Sequence, residues 1–166
     1  MMGLKKKPLF AARSMQAGSA LVEFAFVMIV MLLIVAGTLG FGRTFWYGDA
    51  LTKSTRDGAR LLSSWPIAGP GDTALGVTAA KNIVVSTANA ANLSPQLGAS
   101  NVVVECANSA FTFVACSDAT KPVNIRVSIT GVSVNLGEWF PFISSSGVID
   151  YGSVSLVPHT TMRYMN

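Results

Sequence analysis

From Phe24 to Gly42 the chain reads FAFVMIVMLLIVAGTLGFG, apolar on every side of a helix drawn through it and free of charge. A helix of that length rises about 28 Å, close to the roughly 30 Å hydrocarbon core of a bilayer. Each Phe, Ile, Leu and Val favours insertion by about 0.3–0.6 kcal/mol. Glu23 stands at the edge of the run, where an acid costs far less than the roughly 2.5–3.5 kcal/mol of a central one. Insertion wins, and the run predicts a retained transmembrane helix. Two other readings compete with it. A core helix of a soluble domain rarely lacks a polar face over such a length. A cleaved secretory signal has an apolar core of about 7–15 residues that ends in a small-x-small site. The nearest such site, Val35-Ala36-Gly37, lies inside the run.

Helical character continues from Thr44 to about Ser64. Asp49–Lys53 is an i,i+4 pair and Asp57–Arg60 an i,i+3 pair, each contributing a few tenths of a kcal/mol. Phe45, Trp46 and Tyr47 directly follow the run, where aromatic side chains favour the lipid–water boundary; packing of at least one of them against the domain is an equal alternative. Pro66 and Gly69-Pro70-Gly71 end the helix. Asp72 is placed to cap a second helix over about Thr73 to Ala91, with Leu75, Ala79, Ile83 and Ala90 on its apolar side. From Asn101 the period becomes two. Asn101–Cys106 and Phe111–Cys116 read as short strands. Val123, Ile125, Val127 and Ile129 alternate with polar residues, as in a half-buried antiparallel strand. Val132, Val134 and Leu136 resume the alternation after Gly131, and Val154, Leu156 and the tail add an edge strand. The predicted fold class is α+β: a long N-terminal transmembrane helix continuing outside the membrane, a second helix and a small antiparallel sheet.

Composition agrees: 51% of residues are hydrophobic and only 12% charged, about half the charged share of a soluble protein. The net charge of +4 raises nucleic-acid binding, and its location removes it. Lys5, Lys6, Lys7 and Arg13 carry the whole excess, and Glu23 cancels Arg43. Beyond Arg43, Lys53, Arg56, Arg60, Lys81, Lys121, Arg126 and Arg163 balance Asp49, Asp57, Asp72, Glu105, Asp118, Glu138 and Asp150. A nucleic-acid surface needs clustered bases to displace counterions from phosphates, so no nucleic-acid partner is expected. Counting Lys and Arg near the run gives no clear orientation, because Arg43, Lys53, Arg56 and Arg60 match the leader. The short leader, and cysteines that favour an oxidising side, place the N-terminus inside.

Just before the run stands Gly18-Ser19-Ala20-Leu21-Val22-Glu23-Phe24. A basic leader, a glycine, four small or apolar residues and Glu-aromatic together resemble the type IV prepilin cleavage motif. That resemblance implies cutting between Gly18 and Ser19 by a prepilin peptidase, and pairing of Glu23 with the amine of a neighbouring subunit. An acid beside an apolar core is expected to find such a partner; the plainer alternative is that Glu23 marks the end of the span. A wider resemblance covers roughly the first 65 and last 10 residues. Ala20 to Ala25, Gly42-Arg43 with Phe45 and Tyr47, Asp57-Gly58-Ala59-Arg60, and Thr160-Thr161-Met162-Arg163-Tyr164 are similar to the motifs of the TadE-like family of Tad (Flp) pilus assembly. Family members are pseudopilins or minor pilins, so the implied partners are the inner membrane, prepilin peptidase, other pilins and the pilus assembly platform. Ser19 departs from the methylated Phe of many type IV pilins. The organisation expected is a leader over 1–18, a transmembrane helix over 19–43 and an extracytoplasmic domain over 44–166. Ala36 and Gly40 form a small-xxx-small pair that permits close helix approach, joining Glu23 and Phe24 as candidate assembly residues.

The chain has 2 cysteines and 1 histidine. Cys106 and Cys116 flank the candidate turn Ala107 to Ala110, and facing strands bring Cβ atoms within disulfide range. Two buried thiols are the alternative, since register is not legible from sequence. Two cysteines and His159 do not close a four-ligand zinc shell, and no third group orients a Cys-His nucleophile. Without a phosphate-cradling loop or an HExxH motif, the expectation is no enzyme, no cofactor and no metal. A structural pilus subunit is the first reading. The rival is a periplasmic binding or adhesion module held by an uncleaved signal anchor.

Overall fold

The computed structural model describes residues 13–118, 121–135 and 153–166, so most of the basic leader, and Leu136, lie outside the described residues. The chain forms two compact units, Met1–Gly40 and Phe41–Asn166. Helix α1 (Arg13–Ser63, 51 residues) contributes to both. In the first unit the described residues are all helical.

In the second unit α1 becomes amphipathic. Tyr47, Leu51, Ser54, Thr55, Ala59 and Leu62 are buried, a stripe at helical spacing. Small residues dominate it, so other elements can come close. Ser54, Thr55 and Ser63 are fully buried but satisfied, each hydroxyl donating to a carbonyl one turn back. The Asp49–Lys53 pair forms at 2.6 Å, whereas among the described residues no ion pair joins Asp57 to Arg60.

Helix α2 (Asp72–Asn89) buries Thr73, Gly76, Ala80, Val84 and Ala88. Of the expected face, Ile83 packs against the core and Ala79 is half-buried, whereas Leu75 is 63% exposed and Ala90 lies beyond the helix. The reason is steric. A Cβ on Gly76 would stand 2.8 Å from Trp65 Cδ1 and 3.0 Å from Leu62 Cδ1, so the contact demands the smallest residues rather than the most apolar ones. The expected cap is also displaced. Asp72 is the first helical residue, and its carboxylate accepts from the N–H groups of Ala68 (2.9 Å) and Gly69 (2.7 Å), tying the turn ahead of the helix. Gly71 takes the N-cap position with φ 91°, a left-handed backbone that suits glycine.

Strands β1 (Val102–Ala107), β2 (Phe113–Ala115), β3 (Asn124–Ile129) and β6 (His159–Arg163) form an antiparallel sheet in the order β2-β1-β3-β6. Val102, Val104, Cys106, Ile125, Val127 and Ile129 turn inward to the core with α1 and α2. On the other face Arg126 lies over the Phe113 ring, 3.4 Å from its centroid, with Glu105 at 3.5 Å. The tail is the expected edge strand. Val154 and Leu156 belong instead to β5 (Ser153–Leu156), which pairs with β4 (Val132–Asn135) in a separate two-stranded sheet. Pro158 ends the separation: it cannot donate to a ladder, and β6 begins immediately after it.

Candidate functional site

Every large apolar side chain from Leu21 to Val35 is exposed. The most apolar window of the helix has a mean hydropathy of 2.7 and is 0% buried. A helix apolar all round and unburied by its own chain has lipid as its natural solvent. The described chain thus carries one helix fit to be a single-pass membrane anchor. Its one internal hydroxyl is satisfied locally, Thr38 Oγ1 donating to Ile34 O at 2.8 Å, as a dry environment requires. Gly18, Ser19, Glu23 and Phe24 are all exposed on the helix, and Ala36 and Gly40 are half-buried. Gly18, Ser19, Glu23 and Phe24 are therefore open to a partner outside the chain or to lipid.

Past the span the aromatic residues separate. Phe45 and Trp46 are 69% and 61% exposed, whereas Tyr47 is 4% exposed, so Tyr47 is the one that packs inward. Arg43 Nε donates to the Tyr47 hydroxyl at 2.7 Å, its guanidinium lies 5.2 Å from the ring centroid, and the hydroxyl donates on to Asn92 O at 3.3 Å. In Gly42-Arg43, then, the arginine belongs to a local hydrogen-bond chain.

The motifs near the two ends of the domain meet. In Asp57-Gly58-Ala59-Arg60, Gly58 and Ala59 are buried while Arg60 is exposed. A Cβ on Gly58 would collide with Val84 Cγ2 and stand 3.3 Å from Ala80 O, so this glycine sets how closely α2 approaches α1. The terminal motif then closes the end of α1. The last carbonyls of a helix lack intrahelical donors, and the tail supplies them. Met165 N donates to Ser63 O at 3.0 Å, Asn166 Nδ2 to Ser64 O at 3.1 Å, and the Tyr164 hydroxyl to Trp65 O at 2.8 Å. The Thr55 and Thr160 hydroxyls pair at 2.9 Å. Met162 pairs opposite Ile125 and packs on the core, while Arg163 stands exposed opposite Asn124. This junction is structural: it fixes helix, sheet and C-terminus together.

Cys106 and Cys116 are bridged, with an S–S distance of 2.05 Å, which resolves the thiol alternative. Two residues on, Asp118 does what was expected of Asp72. Its carboxylate accepts from Gly71 N at 2.8 Å and Thr73 N at 3.0 Å, capping α2 from across the domain. The neighbouring Thr73 hydroxyl, then the Gly71 and Thr73 N–H groups, hold its carboxyl below the ordinary aspartate value. The Thr73 hydroxyl is buried, and the two N–H groups donate to the carboxylate directly. The cap was missed in the sequence because nothing local marks a partner 45 and 47 residues away. His159 is exposed at the start of β6. Among the described residues no group of three or more His, Cys, Asp or Glu could hold a metal ion.

Residues 18–60 match the model of a protein family described as TadE-like protein, the family that the motifs of this stretch resemble. The match runs from the candidate cleavage glycine to Arg60. No curated protein and no solved structure matches the chain.

Proposed function

We propose that this protein is a structural pseudopilin or minor pilin of a Tad (Flp) pilus and its related secretion or adhesion machinery, and not an enzyme. The exposed apolar face of α1, bounded by Gly18-Ser19 and Glu23 and lying within the TadE-like match, carries this reading. In the bacterial inner membrane the helix holds the subunit with residues 44–166 on the periplasmic side. Prepilin peptidase removes the leader after Gly18, exchanging a cytoplasmic basic anchor, which holds to anionic lipid, for a single amine on Ser19. Glu23 then has an oppositely charged partner on a neighbouring subunit, which offsets the cost of an acid at the edge of the hydrocarbon. The disulfide fits that placement, since such bridges persist in oxidising compartments. The domain behind the helix supplies rigidity: Tyr47, Gly58, Ala59, Met162 and Tyr164 serve packing or hydrogen bonding within it.

N-terminal sequencing of the mature protein, with and without a prepilin peptidase, tests the reading. A start at Ser19 that depends on the peptidase is expected. An intact leader in both strains would support the permanently anchored binding or adhesion module instead.

A further inference from the structure

We propose that the groove between α1 and β5 in the second unit holds an acyl chain of a membrane phospholipid. The groove encloses about 520 Å³, the size of a small-molecule site rather than of the trough needed by a helix roughly 10 Å across. Phe41, Phe45 and Gly48 line one side and Val154 and Leu156 the other. Its polar groups are already satisfied. Thr52 Oγ1 donates to Gly48 O at 2.7 Å, and Asp49 at the rim pairs with Lys53 at 2.6 Å. An occupant gains nothing there from hydrogen bonds, so the chemistry that fits is hydrocarbon.

The occupant follows from where the groove begins. Phe41 is the penultimate residue of the apolar run, and its ring lies 5.6 Å from that of Phe45. Exposed aromatics at that point of a span stand at the lipid–water boundary. An apolar slot opening there meets acyl chains before any other ligand. Gly48 keeps the slot open: a Cβ at this position would meet nothing within 4 Å, although almost any other residue would favour the helix more. This inference rests on reading residues 24–42 as a membrane span.

The test uses the full chain in nanodiscs of phosphatidylethanolamine and phosphatidylglycerol, with a trace of phospholipid carrying a diazirine on its acyl chain. After photolysis, digestion and mass spectrometry, adducts are expected on residues 24–42 and, as the distinguishing result, on Val154 to Leu156. Gly48→Leu fills the slot, and should reduce the β5 adducts about tenfold relative to those on the span. Val154→Asp, at a side chain 40% exposed, should do the same by charge. An intact disulfide on non-reducing gels checks the fold of each variant. Absent β5 adducts, or β5 adducts that Gly48→Leu leaves unchanged, overturn the proposal if the span is still labelled. Loss of label from the span as well overturns the membrane reading, and this proposal with it.

Discussion

Two stretches of α1 obey opposite rules. Between Phe24 and Gly42 large apolar residues point in every direction and the chain buries none of the most apolar window. Between Tyr47 and Ser63 the buried stripe is largely Ala, Ser, Thr and Gly, with Tyr47, Leu51 and Leu62 as its bulky members. Hydrophobicity is therefore a poor guide to which part of this helix is the core of a domain. The first stretch is apolar because its solvent is. The second is small because the elements around it must come close, and close contact contributes dispersion and excludes water even where residues are only weakly apolar. Placing a charge in the first and adding bulk to the second should have unrelated consequences, which gives the comparison its sharpest tests.

The largest effect is expected from Leu32→Arg, at an exposed position in the middle of the run. Arginine there costs about 3–4 kcal/mol of insertion relative to leucine, a large part of what the span supplies. Membrane flotation should show most of the protein lost from the bilayer fraction, while the Cys106–Cys116 bridge still forms if exported. Next comes Gly58→Leu, where the new side chain must displace Val84 and the α2 backbone. Overpacking of this kind costs about 1–3 kcal/mol, read as a lower thermal midpoint of the full chain in detergent with unchanged flotation. If Gly58→Leu abolished membrane binding, or Leu32→Arg unfolded the domain, the two stretches would not be governed separately as argued.

The span and its flanking motif were legible in the sequence because both are local and extreme. So were β1 and β3, where alternation is clean, but not the register that joins the cysteines, which only the folded pairing of β1 with β2 fixes. The buried face of α2 was less visible. Leu75 attracts a periodicity reading, yet Gly76, Ala80, Val84 and Ala88 mark the true face by their size and spacing. A search for small residues at i,i+4 beside a second small-rich helix would have found it. The tail shows another limit. Its motif was recognisable, but nothing in Tyr164, Met165 and Asn166 says that they donate to the carbonyls of Trp65, Ser63 and Ser64 respectively. Such pairing is a property of the folded ends.

Tyr164→Phe tests that junction with a single atom. The Tyr164 hydroxyl is the donor to Trp65 O, and Tyr164 is 8% exposed. Its removal should cost about 1–1.5 kcal/mol, with part of the loss coming from a carbonyl left without its partner. The thermal midpoint of the full chain in detergent is the measurement. An unchanged midpoint would mean that the remaining bonds, among them Met165 N to Ser63 O and Asn166 Nδ2 to Ser64 O, hold the tail without it.

The smallest effect is expected at Asp118, and pH separates its charge from its shape. The folded carboxyl titrates below its ordinary value because the Thr73 side chain and the Gly71 and Thr73 N–H groups favour the anion. A lowered folded value means that the stabilisation is complete above the unfolded carboxyl's value, and fades as pH falls through the folded one. Asp118→Asn can still cap α2 through its side-chain oxygen, but without charge. Wild type should therefore exceed the variant slightly at neutral pH. The gap should close as pH falls below about 4, since a protonated Asp118 is no longer a charged acceptor. A gap that persists at the same size in acid would show that the Asp118 contribution is geometric rather than ionic. Comparison in a Cys106→Ala, Cys116→Ala background sharpens the point. With the bridge two residues away removed, the segment carrying Asp118 loses its tether to β1, and the gap at neutral pH should shrink as well.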